Sequence, residues 1–176
     1  MSQTNEILID AFERIKQVVH ETVEGLSIPD LTYQPAEAAN TIAWLMWHLT
    51  RIQDDHIAEL RKKEQVWIQN GWADKFKLPF NKGDTGYGHD SRDVIKVNVD
   101  DKLILGYYDD VHSATKEFLL DLKNEDYTKV IDNRWEPPVT FAVRVVSVIS
   151  DDLQHAGQAA YVRGLIRGEP YLGLSV

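Results

Sequence analysis

The chain contains no cysteine. Disulfides, thiolate metal sites, iron–sulfur clusters and a cysteine nucleophile are thereby excluded, and any thiol in its chemistry must come from outside. Basic residues are also scarce: 19 Lys and Arg stand against 28 Asp and Glu, a net charge of −9 with histidine neutral, and the pI is about 5.1. That field repels phosphate, so neither nucleic acid nor an anionic membrane is expected as a partner. The one basic run, Arg61-Lys62-Lys63, falls where a helix should end. No apolar run reaches the roughly 18–20 residues of a membrane span. The opening MSQTNEILIDAFERIK lacks the basic stretch, apolar block and cleavage site of a secretory leader, so the expected location is the cytoplasm. What remains is 176 residues that are 43% hydrophobic, suited to one domain over 1–176 with a substantial core.

Helical periodicity is what the chain does have. In the first segment Leu8, Phe12, Ile15, Val19, Val23 and Leu26 recur at spacings of three and four, the signature of one helix face. Gly25 and Pro29 stand where that helix should stop. A second helix follows Asn40, a residue type that caps helices, and runs through TIAWLMWHLTRIQDDHIAELRKK with Ile42, Leu45, Met46, Leu49, Ile52 and Leu60 apolar. A third follows Asp100, with Leu103, Tyr107, Val111, Ala114, Phe118 and Leu122 on one side. A fourth begins near Thr140, after Pro137 and Pro138, and ends before Gly168 and Pro170. The expected fold is an all-α four-helix bundle with helices over about 4–25, 41–63, 100–122 and 140–167.

About 35 residues, 64–99, separate the second and third helices, a length that implies a crossover or a site-building loop. A long crossover lets consecutive helices run parallel, which predicts up-down-down-up topology. VIKVNV at 94–99 has the composition of a short strand but no evident sheet to join.

The sharpest chemical arrangement is DDLQHAGQ at 151–158. Asp151 and His155, four apart, project from one helix face a turn apart. Such a pair can occupy two corners of a metal's coordination sphere or form a solvated ion pair. His48, one turn after Trp44 on a largely apolar helix, would supply the third ligand of a site with an open position.

TIAWLMWHLTRIQDDHIAEL followed about a hundred residues later by DDLQHAGQAAYVRGL resembles the DinB-like superfamily, and more narrowly its branch of unknown-function domains related to mycothiol-dependent enzymes. The likeness runs from about Pro35 to Pro170 and includes GWADKF, DTGYGH and RWEPPVT. It implies a four-helix bundle with one divalent metal held by three side chains. The pattern has a His on the second helix, matching His48. On the last helix it has His or Glu four residues before a His-x-Gly-Gln or His-x-Gly-His element, here Asp151 and His155 followed by Gly157 and Gln158. Asp151 departs from that pattern: its arm is one methylene shorter than Glu, so reach decides whether the ligands meet at about 2.0–2.2 Å. Asp152 is the fallback ligand, about 100° further around the helix.

Two imidazoles and a carboxylate suit Zn, Ni, Fe or Mn. Several relatives are thiol-dependent, either mycothiol or bacillithiol S-transferases or an isomerase of maleylpyruvate type. The resemblance therefore implies transfer of a small-molecule thiol to an electrophile, with that thiol as cosubstrate; relatives also often pair as homodimers.

Other residues carry weaker signals. Arg144, seven residues before Asp151, could anchor a substrate carboxylate or pair with a neighbouring acid. Asp55, seven after His48, is too far for the same ion and reads as a surface charge or a support to the site. Gln158 could hydrogen-bond within the site, and Trp44, Trp47 and Tyr161 read as core or pocket wall. NKGDTGYGHD, at 81–90, lacks the spacing of a phosphate cradle; the resemblance puts it beside the metal mouth, with His89 expected as an exposed loop residue. His20, His56 and His112 receive no role. Two alternatives stay open: a non-catalytic, metal-free ligand-binding bundle, and a di-metal carboxylate protein built on Asp109-x-x-His112 and Asp152-x-x-His155, in which Asp replaces the usual Glu.

Overall fold

A computed structural model describes residues 2–168; Pro170, expected to follow the last helix, lies outside them. Four long helices dominate: α1 (Gln3–Val23), α3 (Ile42–Arg61), α7 (Asp101–Asp121) and α8 (Phe141–Arg167). Each starts at a side-chain cap that accepts a backbone N–H of the first turn: Ser2 from Asn5, Thr41 from Trp44, Asp100 from Leu103 and Thr140 from Val143. The cap of α3 is thus Thr41 and not Asn40. The first helix ends at Val23, with Gly25 at a φ of +74°. Pro29 does not merely stop it but lies in the first turn of a new short helix, α2 (Ile28–Leu31).

Helices α1 and α3 both pack against α7 and α8. Their directions follow from cross-helix bonds. Asn5 donates to the Leu122 carbonyl while the Gly25 N–H donates to Asp101, so α1 and α7 are antiparallel. Arg163 and Arg167 donate to the Thr22 and Gly25 carbonyls, so α1 and α8 run parallel. His48 lies beside His155, and His56 beside Arg144, so α3 and α8 are antiparallel. The topology is up-down-down-up, as the long crossover predicts.

The core is built from the expected stripes of α1 and α3, including Phe12, Ile15, Val19, Leu45 and Leu49, together with Val145 and Val148 of α8. On α7 the buried line includes Ile104, Tyr108, Thr115 and Leu119 beside Tyr107 and Val111, whereas Leu103, Ala114, Phe118 and Leu122 are only half-buried. The true core face is rotated by about one residue from the apolar stripe, because Tyr108 and Thr115 are buried where sequence reading sees polarity.

The crossover holds three short helices: α4 (Val66–Gln69), α5 (Trp72–Phe76) and α6 (Ser91–Val94). VIKVNV is not a strand: Val94 ends α6, and the segment after it leads into Asp100. A small antiparallel hairpin lies elsewhere, β1 (Val130–Asp132) with β2 (Val139–Thr140), just ahead of α8.

A buried ionic knot ties the crossover to the bundle. Asp54, 3% exposed, accepts the backbone N–H groups of Val66 (2.9 Å) and Trp67 (2.7 Å) and the Tyr107 hydroxyl (2.9 Å). Arg51, fully buried, lies 3.7 Å from the same carboxylate and donates to the Asp84 carbonyl (3.1 Å). One acid and one base thereby fix both ends of the crossing over α3. Among the described residues, no helix is long and apolar enough to cross a membrane.

Candidate metal centre

Helices α3 and α8 bring His48, Asp151 and His155 together. One ligand atom from each lies within 4.8 Å of the others, and the two imidazole centroids are 4.7 Å apart in an edge-on arrangement. Bonds of about 2.1 Å in a tetrahedral set need ligand atoms roughly 3.4 Å apart. Closing that difference would take side-chain rotations that bring the three ligand atoms inward.

The second nitrogen of each ring is already committed. His48 Nδ1 meets the Thr85 carbonyl, and His155 Nδ1 lies 2.8 Å from the Asp151 carbonyl one turn earlier. A carbonyl only accepts, so both Nδ1 atoms carry a proton, and each ring when neutral presents its lone pair at Nε2. Asp151 Oδ2, although 3.3 Å from His155 Nδ1, is shielded from solvent and accepts no well-aligned hydrogen bond. An orphaned, buried carboxylate oxygen beside two imidazole lone pairs is a donor set that fits a divalent cation.

The two histidines differ electrostatically. Burial pushes the His48 pKa below the ordinary value, helped by nearby His155 and opposed by the Thr85 carbonyl. Burial also works against the His155 cation, but the Asp151 side chain and carbonyl outweigh it and raise that pKa.

Loop 84–89 holds the His48 ring in place. Trp44 stacks on His48 at 4.6 Å and 10° and donates its indole N–H to His89 Nδ1 at 3.2 Å. Gly86, at a φ of +93°, lies so close that a Cβ would sit 2.8 Å from His48 Nδ1 and 3.0 Å from each of Trp44 and Trp47. His89 is therefore not an exposed loop residue: it is half-buried against Trp47 and Phe80, at 5.8 and 4.5 Å between ring centroids.

The remaining expected residues scatter. Asp152 is fully buried on another face of α8, with no partner for either oxygen. Burial, then neighbouring Asp151, raises its pKa well above the carboxylate range. It lies in the interior, on a different face of α8 from the three clustered groups. Asp55 accepts from Gln65 (2.6 Å) at the start of the crossover, and Gln158 is exposed. Tyr161 is 69% exposed, so it is neither core nor wall. Arg144 pairs with no acid among the described residues; its Nη1 lies 3.4 Å from both ring nitrogens of His56. Asp109 is held by Lys16 and His20, each at 2.9 Å. Among the described residues His48, Asp151 and His155 form the one such cluster, which gives the di-metal alternative no second site. A cavity of about 520 Å³, lined in part by Leu60, Phe118, Ile131 and Phe141, lies towards the other end of α3 and includes none of the three.

Thr85, Arg51 and Asp54 were not singled out by sequence reasoning. Thr85 acts through a carbonyl that any residue would offer. The glycine density of DTGYGH was the one signal that backbone comes close to something here.

The bundle, its long crossover and the histidines on α3 and α8 define a DinB-like protein. A family model described as mycothiol-S-transferase matches residues 7–168, and the chain belongs to that family. Among solved structures it is similar to a conserved protein from Enterococcus faecalis, at 30% identity and a TM-score of 0.90, over 96% of this chain and 100% of that one. No curated protein sequence matches the chain.

Proposed function

We propose that the chain binds one divalent metal ion through His48, Asp151 and His155 and transfers a low-molecular-weight thiol of the mycothiol or bacillithiol class to a small electrophile. The observation that carries this reading is the convergence of three ligand atoms within 4.8 Å, with both imidazole Nδ1 protons directed at carbonyls. When bound, such an ion supplies the positive charge that lowers the pKa of a thiol at its open position.

The chain's own residues do the rest. His48 and His155 present neutral Nε2 lone pairs, and Asp151 contributes a single negative charge, so the donor set leaves a divalent site net positive. Trp44, stacked on His48, covers one side of the ring and keeps water from it. Thr85 and the Asp151 carbonyl hold the two Nδ1 protons and so fix both tautomers. Because there is no cysteine, the attacking sulfur belongs to the cosubstrate, whose proton leaves to solvent as the thiolate forms.

The test is metal content by plasma mass spectrometry on untagged protein beside His48→Ala and Asp151→Ala, followed by thiol-dependent consumption of monochlorobimane. About one equivalent in the parent, lost in both variants, is expected. An absence of metal after incubation with zinc or nickel salts would return the chain to the non-catalytic alternative. Metal without turnover across a thiol panel would remove the transferase assignment alone.

A further inference from the structure

The solvent side of α8 is free of charge. From Val143 to Leu165 every exposed position of the helix carries an uncharged residue, although 27% of the chain is charged. The exposed faces of the other outward helices differ: α1 shows Glu6, Asp10, Arg14 and Glu21 to solvent, and α7 shows Lys102, Lys116, Glu117 and Asp121. An ordinary surface helix puts its charges there. On α8 the same side holds Val143, Val146, Leu153, Tyr161 and Leu165, each half or more exposed. At about 100° and 1.5 Å per residue they form one stripe about 33 Å long.

Gly157 lies in the middle of that stripe. A Cβ there would meet nothing within 4 Å, and the position is inside a regular helix. The monomer has no use for a glycine at this point, which forgoes about 1 kcal/mol of helix stability relative to alanine. Its use lies in letting something approach α8 from outside.

The order of residues says what approaches. Ser150 and Gly157 stand at equal distances on either side of the point between Leu153 and Gln154. Val146 and Tyr161 flank that point equally too, and Val143 and Leu165 do so to within one residue. A stripe that reads alike from both ends matches itself when a second helix is turned end over end. Small residues then meet near the crossing, where the backbones come closest, and large apolar ones meet beyond them. An isologous contact about a twofold axis has this property, and a surface built for an unrelated protein has no reason to. Charge agrees. Two copies of a chain with a net charge of −9 repel each other, and least so across a face that carries none.

We propose that two copies of this chain pair through α8, antiparallel about a twofold axis between Leu153 and Gln154. The pairing needs no metal and is independent of the proposed function.

Sedimentation velocity on the full chain across the micromolar range is expected to show a monomer–dimer equilibrium. Leu153→Glu sets two like charges face to face at the axis and should weaken the pair about a hundredfold or more. Because Leu153 is exposed in the monomer, the variant should keep the helical circular dichroism of the parent. Ile95→Glu, at an exposed apolar position on the crossover, is the control and should leave the dimer intact. Added sodium chloride should tighten the pair by screening the two negative copies. The chain has no cysteine, so Gln154→Cys places a single thiol near the axis. Oxidation should convert that variant to a covalent dimer, and should not do so for Ile95→Cys.

A parent that is monomeric at every concentration overturns the proposal, whether the stripe is then covered by residues 169–176 of the same chain or by a different protein. A dimer that Leu153→Glu leaves intact also overturns it, since the contact is then on another face. So does a dimer that salt weakens, since ion pairs then hold it.

Discussion

Gly86 and His48 are in backbone-to-ring contact: a methyl group on Gly86 would stand 2.8 Å from His48 Nδ1. The preceding residue, Thr85, gives that same nitrogen its carbonyl, so the position of the loop and the tautomer of the ring are one fact.

Gly86→Ala is therefore expected to cost about 2–4 kcal/mol, combining left-handed backbone strain with overpacking, and to weaken zinc binding by displacing the Thr85 carbonyl. Gly88→Ala is the control. It also has a positive φ, +82°, but open space where its Cβ would lie, so it should cost only about 1 kcal/mol. Thermal melts and zinc titrations on both variants check the pair. Equal losses would mean that close approach to His48 is irrelevant.

Zinc affinity should fall with pH, and the fall should begin above the usual imidazole value of 6.5, because the Asp151 contacts raise the His155 pKa. Each bound proton must leave before the metal enters, so affinity drops about tenfold per pH unit below that point. The same shift has a stability consequence in metal-free protein. With its folded pKa raised, His155 contributes stability that is full below the unfolded pKa and is lost as pH rises through the folded one. Competition titrations between pH 5 and 8 measure the first effect, and melts of metal-free His155→Gln against the parent measure the second.

Removing the Asp54 carboxylate strands Arg51, whose side chain is fully buried. Asp54→Ala should cost about 3–5 kcal/mol, the usual result of leaving a buried charge unpaired, and should release the Val66 and Trp67 N–H groups. Urea denaturation gives the number. Faster amide exchange in the crossover than in α1 would locate the damage.

Asp152 offers a prediction of the opposite sign. Its pKa is raised well above the ordinary carboxylate value by burial, so the unfolded chain releases its proton at lower pH than the folded one. Stability is lost as pH climbs above the unfolded value. Asp152→Asn should remove that penalty: its melting temperature should exceed the parent's at pH 7, and the gain should shrink as pH falls towards 4. A pH-independent difference between the two proteins would show that Asp152 is ionised in the folded state.

The four helices were legible because each carries a stripe of period 3.6 and a capping residue within one position of its start. Up-down-down-up order was legible too, since a crossover of that length has few other uses. The trio His48, Asp151 and His155 could be picked out by a four-residue spacing and a family resemblance; how the rings are oriented could not. Orientation depends on the carbonyls of Thr85 and Asp151, and a carbonyl leaves no trace in residue identity. The core face of α7 was misjudged for a related reason. Tyr108 and Thr115 are polar letters with buried bodies, and only their neighbours reveal that. Arg144 failed the usual assumption that a basic residue near acids pairs with one.

The two histidines are supported by unequal means. His155 leans on a carbonyl of its own helix, one turn back, and keeps that support wherever α8 is helical. His48 leans on a loop that must first travel across the bundle and be pinned by Asp54 and Arg51. Mutational tolerance should therefore be lopsided. The side chain of Thr85 can vary freely, since only its backbone is used, while substitutions as distant as Tyr107 can unsettle a ligand they never touch. A library scored for metal retention would draw the outline of the crossover's anchor points rather than the outline of the site.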